Sequence, residues 1–164
     1  MPPTDLPGIV NGHRVNGHLY RGGDVSLAGV GTLHAWGIVR VISLENAKQD
    51  SPAAIIMEHA QVEDAGMKWT NVPMDSQGIL SYDDGKKVPG ILAMIEETVG
   101  PVLVHCHRGA DRSGVVVACY RITKGWSADQ ALAEMRHYGA SFIHFGMRSF
   151  VKKFAREHVP TLPA

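Results

Sequence analysis

With 164 residues, 45% of them hydrophobic, the chain has the length of one domain (1–164) and enough apolar material to bury roughly 68–70% of its unfolded surface. Lys+Arg and Asp+Glu both number 16, which excludes a global charge that would draw nucleic acid or a membrane surface; affinity for an anion has to come from local placement. Two cysteines are too few for a secreted disulfide framework, no run of eighteen apolar residues marks a membrane span, and residues 1–17 lack the basic-then-apolar order of a signal peptide, so a cytoplasmic monomer is expected, periplasmic only if a leader was removed.

In chain order, HLYRG at 18–22 reads as a short edge strand, and Ser26 caps a helix running to Trp36, stopped by Gly37. IVRVISL at 38–44 is apolar and β-branched, as a strand buried on both faces requires. Ser51-Pro52 starts a helix carrying Ile55, Ile56 and Met57, Gly66 ends it, and a strand follows over 67–72. Residues 73–85 form a polar loop, 88–99 a helix with Val88, Ile91, Leu92 and Ile95 on one side, and Gly100-Pro101 breaks it before the strand 102–104. Helices are expected over 113–123, from the cap Ser127 to Arg136, and over 145–158. Strands alternating with helices predict an α/β domain, its central, mainly parallel sheet flanked by helices on both faces.

The stretch VHCHRGADRSGVVV, 104–117, sets a cysteine and two arginines in a turn between two apolar runs. A strand delivers Cys106 to the carboxyl edge of the sheet, where open α/β folds gather ligand groups. The backbone N–H groups of 107–111 and the start of the next helix lack helical acceptors and make a nest for a tetrahedral anion, with Gly109 and Gly114 allowing tight turning and close approach. Arg112, six positions after Cys106, can grip two phosphate oxygens with its planar fork. The same positive field favours a thiolate at Cys106, a nucleophile for in-line attack.

HCHRGADRSG resembles the HCx5R[ST]G loop of the protein tyrosine and dual-specificity phosphatase superfamily. The order LYRGGDVS, GIVRVISL, WTNVPM, the loop, then ACYRITKGWSADQALAEM is similar to small bacterial members of the dual-specificity branch over most of the chain. The resemblance implies a dual-specificity phosphatase-like fold and hydrolysis of phosphate monoesters through a cysteinyl-phosphate, with no cofactor and no metal. It implies Cys106 as nucleophile, Arg112 as phosphate clamp, Ser113 as the hydroxyl hydrogen-bonded to sulfur, and His105 as the histidine holding the loop from behind. His107, Arg108, Gly109, Ala110, Asp111 and Gly114 are then the substrate-binding positions.

The leaving alkoxide needs a proton donor, and in this family the acid lies about thirty residues before the cysteine. Asp75, in VPMDSQG 31 positions upstream, ranks first, Asp83 and Asp84 second, and Asp111 third because GADRSG also resembles the loop of myotubularin-type phosphatases. Cys119, among valines and alanine, reads as core packing. Asp24 and Glu45 read as caps or as ion-pair partners of Arg21 and Arg40, and His144 and Arg148 as pocket or surface residues. The nine histidines show no metal-ligand spacing.

The substrate is a phosphotyrosine, phosphoserine or phosphothreonine protein, or a polyphosphorylated small molecule such as an inositol phosphate or phosphoinositide. The short 75–87 segment, with Tyr82 as its one aromatic residue, favours a shallow pocket, and Arg108, His107, Lys86 and Lys87 on its rim would favour extra negative charge. A rhodanese-like sulfurtransferase lacks the Arg-Ser-Gly that follows here. An arsenate reductase calls for further cysteines, and a non-catalytic phosphate-binding module would have no need of the Cys106, Arg112 and Ser113 set.

Overall fold

The computed structural model describes residues 1–75, 82–141 and 145–158. Five strands, β1 (His13–Arg14), β2 (Leu19–Gly22), β3 (Arg40–Ser43), β4 (Lys68–Asn71) and β5 (Val102–His105), form one sheet in the order β1-β2-β5-β3-β4. Only β1 is antiparallel; β2, β5, β3 and β4 run parallel. The 18–22 segment is therefore not an edge strand. A two-residue partner, too short to show a period, covers its outer side.

Helices α1 (Leu27–Ala35) and α2 (Pro52–Asp64) cover one face of the sheet, while α3 (Tyr82–Glu97), α4 (Arg112–Thr123), α5 (Ala128–His137) and α6 (Phe145–Glu157) cover the other. Strand alternation sorts the two cores. Tyr20, Val41 and Leu103 pack with Val30, Leu33 and Val62, whereas Leu19, Ile42, Val102 and Val104 pack with α3 to α6. The β-branched run of α4 is a poor helix former by propensity, but Val115 to Tyr120 are all buried, and packing decides. Ser26, Ser51 and Ser127 accept from the backbone N–H three residues on, as N-caps do, and Ser127 with Gln130 completes a capping box.

Two expectations about helices fail, one on each face of the sheet. Helix α3 begins at Tyr82, not Val88, and takes in both Gly85 and Pro89. Gly85 does not end a loop; it admits the Phe150 ring, whose Cε2 would stand 2.8 Å from a Cβ there. On α2 only Ile55 of the three apolar residues faces the core, while Ile56 and Met57 are 69% and 59% exposed; the buried stripe is Ile55, Glu58, Val62.

Parallel register sets the site. Gly22 of β2 and Ser43 of β3 both lie opposite His105 of β5, so three carboxyl ends finish level, and the loops after them meet above the central strand.

Candidate active site

Cys106 follows β5 directly and is 2% exposed; its Sγ lies 3.4 Å from Ser113 Oγ, in the first turn of α4. The intervening loop is held from below. Cys106 N–H donates to Gly22 O, Asp24 N–H donates to His107 O at 2.9 Å, and the Gly109 carbonyl accepts from the side chains of Asn11 and Arg21, both at 3.1 Å. By contrast, among the described residues none of the backbone N–H groups of His107, Arg108, Gly109, Ala110 and Asp111 donates to a protein acceptor. Five neighbouring amides without acceptors, at the positive end of α4, form an anion nest.

Glycine is required where two backbones touch. Gly109 has φ +71°, and a Cβ there would stand 2.6 Å from the Gly23 N; a Cβ on Gly23 would stand 2.6 Å from His107 O. A Cβ on Gly114 would stand 3.5 Å from Met135 Cε and 3.6 Å from Arg21 Nη2, ordinary contact distances. Ala110 is fully buried.

The Arg112 fork is fixed by a residue the sequence did not single out. Asp50 accepts from Arg112 Nη1 at 2.7 Å and Nη2 at 3.0 Å, and Nη1 also reaches the carbonyls of Leu44 and Met74 at 3.3 Å. Burial works against the Asp50 carboxylate, but Arg112 and the Asn46 N–H hold it below the usual carboxylate range. Asp50, Gln49, Arg112, Asp111 and the Cys106 loop line a cleft of about 210 Å³.

The candidate acids divide by their surroundings. Asp75 accepts from the side-chain amide of Gln49, which lines this cleft. Asp84 is buried in structural contacts: it accepts from Asp75 N–H at 2.9 Å and pairs with Lys87 at 3.0 Å, and Lys87 also caps the Pro73 carbonyl. Lys87 is thereby held at Asp84 instead of standing free on the rim. Asp111 lines the cleft, accepts from Ser141 N–H at 3.0 Å and faces Arg108 at 3.7 Å. The side chains of Tyr82 and Asp83, and the whole of His144, lie outside the described residues.

Behind the loop runs a chain of titratable groups. His105 is wholly buried, 2.9 Å from Glu58 through Nε2, and its Nδ1 is 3.2 Å from the Cys106 carbonyl. Burial alone would lower its pKa, but Glu58 outweighs this and raises it to about 9, so both ring nitrogens carry protons and Nδ1 donates to Cys106 O. Trp69 Nε1 donates to the same Glu58 at 2.8 Å. Glu45 is raised to about 7 by burial and by its hydrogen bond to Asp24, opposed by His105. Asp24 pairs with His107 at 2.8 Å. The expected pairings of Asp24 and Glu45 with Arg21 and Arg40 therefore do not form: Arg21 turns to Gly109, and Arg40 donates to Thr70 Oγ1. Burial pushes the Cys119 thiol up, which leaves it a core residue.

The model of the family described as a DSP-PTPase phosphatase fused to NAD+ kinase matches residues 10–153. The chain belongs to this family. Among relatives of the DSP-PTPase chain, the dual specificity protein phosphatase TpbA of Pseudomonas aeruginosa is 29% identical over 133 residues, covering 79% of this chain and 55% of the relative. Inositol diphosphatase DSP2 of Arabidopsis thaliana is 28% identical over 79 residues, 48% of this chain and 31% of the relative. The chain thus spans about half or less of the length of these curated relatives. The core catalytic domain of the PP-IP phosphatase SIW14 of S. cerevisiae, solved with citrate, superposes with a TM-score of 0.74 at 20% identity, covering 90% of this chain and 87% of that one, and shares the fold. No described helix is long and apolar enough to cross a membrane.

Proposed function

We propose that the chain hydrolyses phosphate monoesters, with Cys106 as nucleophile. The observation that carries this reading is the Cys106 sulfur set beside five amides that have no acceptor among the described residues, with the Arg112 fork across the same cleft. An entering phosphate takes its oxygens onto the amides and Arg112. The thiolate attacks phosphorus, the P–S bond forms as the P–O bond to the leaving group breaks, and Asp75 gives that oxygen its proton. Water then cleaves the cysteinyl-phosphate, Asp75 taking the water's proton and Ser113 donating to the departing sulfur.

For the substrate, two of the rim side chains already face carboxylates: His107 lies against Asp24 and Arg108 faces Asp111. This supports a singly phosphorylated ester, as on a phosphoprotein, over a polyanion. A polyphosphorylated inositol is the second reading, favoured by the name of the Arabidopsis relative.

Hydrolysis of p-nitrophenyl phosphate is expected for the natural chain and lost in Cys106→Ser. Asp75→Asn is expected to lower kcat by about 10²–10⁴-fold and to flatten the basic limb of the pH profile. Retained turnover in Cys106→Ser would refute the nucleophile, and an intact limb in Asp75→Asn would move the acid to Asp111. A kcat/KM comparison across phosphopeptides and inositol phosphates separates the two substrate classes.

A further inference from the structure

We propose that Arg21 and Asn11 are positioning residues of the anion loop: by holding the Gly109 carbonyl beneath it they aim the Ala110 N–H into the cleft, and Arg21 adds a buried positive charge below the anion. The inference rests on the phosphate-binding reading above.

A trans peptide points its C=O and N–H in opposite directions. Of the peptides that join 106 to 110, three have their carbonyls tied down, at Cys106 by His105, at His107 by the Asp24 N–H, and at Gly109 by Asn11 and Arg21. The N–H groups of the same peptides, on His107, Arg108 and Ala110, are turned the other way and are among those with no protein acceptor. Gly109 is the one of the three held by two side chains, and both come from the far end of the sequence.

Neither residue is explained by folding alone. Arg21 is 1% exposed on the second strand of the sheet, with its guanidinium 4.4 Å above the Tyr138 ring. Its Nη2 donates to Gly109, but Nε and Nη1 have no hydrogen-bond partner among the described residues. The nearest carboxylate, Glu134, is 4.0 Å away and is committed to Arg121 at 2.9 Å. A buried, half-satisfied cation of this kind is worse for stability than a packed apolar side chain, so its retention calls for a ligand that uses the charge. Burial pushes the Arg21 pKa down, and Glu134 and Cys106 oppose the shift. Asn11 adopts φ +46°, alone among the described non-glycine residues in positive φ. Its Nδ2 donates to Gly109 O at 3.1 Å and to Tyr138 O at 2.8 Å, and its Oδ1 meets His13 Nε2 at 3.0 Å, so a strained backbone serves a side chain committed to the loop.

Three variants of the full chain test this: Arg21→Met, which matches the stem but drops the charge, Arg21→Lys, and Asn11→Gly, which keeps the positive φ and removes the amide. Tungstate affinity by calorimetry, kcat and KM on p-nitrophenyl phosphate, and thermal melting are measured on each. Arg21→Met is expected to weaken tungstate binding about 10-fold to 100-fold, the loss expected for a charge-assisted hydrogen bond, with melting unchanged or raised. Arg21→Lys should recover part of the loss, and Asn11→Gly should weaken tungstate by about 10-fold. Folded Arg21→Met and Asn11→Gly that bind tungstate as the natural chain does would overturn the proposal. If Arg21→Met does not fold, Asn11→Gly alone decides, natural affinity again overturning it. Failure of the natural chain itself to bind tungstate would refute the phosphatase reading instead.

Discussion

The mouth and the floor of the anion loop each hold one buried arginine, and the two are treated in opposite ways. At the mouth, Arg112 meets Asp50 through two short hydrogen bonds and two backbone carbonyls besides, so its charge is largely cancelled and what it offers an incoming anion is a fork fixed in place. At the floor, Arg21 has one carbonyl, an aromatic face and a distant shared carboxylate, so its charge is barely cancelled and its geometry is set by packing. One is built around orientation and the other around field. The floor also carries His105, whose charge is matched by Glu58, which shows that this region can neutralise a cation when it needs to.

The largest blow to the contrast falls at the mouth. Asp50→Asn leaves Arg112 buried without its counter-charge and free to swing; a misplacement of about 1 Å costs on the order of 10²-fold in kcat/KM, and breaking such a pair costs about 3 kcal/mol of stability. A turnover within a few-fold of the natural chain would mean that Arg112 needs no bracket, and the distinction between the two arginines would dissolve.

A middling effect is expected at the floor, read through pH. His105 is raised from 6.5 to about 9, so the folded state binds its proton more tightly than the unfolded state. The stabilisation is complete below about pH 6.5 and is lost as pH rises toward 9, a fall of roughly 3 kcal/mol at most. Urea titrations between pH 6.5 and 9 should show this decline in the natural chain and a flat profile in Glu58→Gln. A decline that persists in Glu58→Gln would place its origin elsewhere, with Glu45 first in line. The smallest effect is set by Trp69→Phe, which removes one hydrogen bond from Glu58 and should cost about 1 kcal/mol with activity intact, sharpening the claim that Glu58 acts through His105.

What could be read from the sequence was whatever lay close together in it. The Cys106 loop, the serine caps and the apolar runs of β3 and β5 each occupy one short stretch, so spacing alone revealed them. Asp50, Glu58 and Asn11 reach the loop from 62, 47 and 98 positions away, and no local pattern announces such a meeting. Glu58 did leave a trace, because an acid at the middle of the stripe Ile55, Glu58, Val62 sits where an apolar residue belongs. Gly22-Gly23 left another: two glycines at the end of a strand mark a close backbone approach, here against His107 and Gly109. The early start of α3 had no comparable sign, since Gly85 and Pro89 both argue for a loop and only the Phe150 ring explains the first of them.

The bond from Asn11 to the Tyr138 carbonyl closes a span of 127 residues around Gly109. On the ribosome, that clasp cannot close until Tyr138, which follows the last turn of α5, has emerged. Until then the Gly109 carbonyl has Arg21 but not the Asn11 that also grips Tyr138, so the loop gains its full set of bonds only after both α4 and α5 have been made.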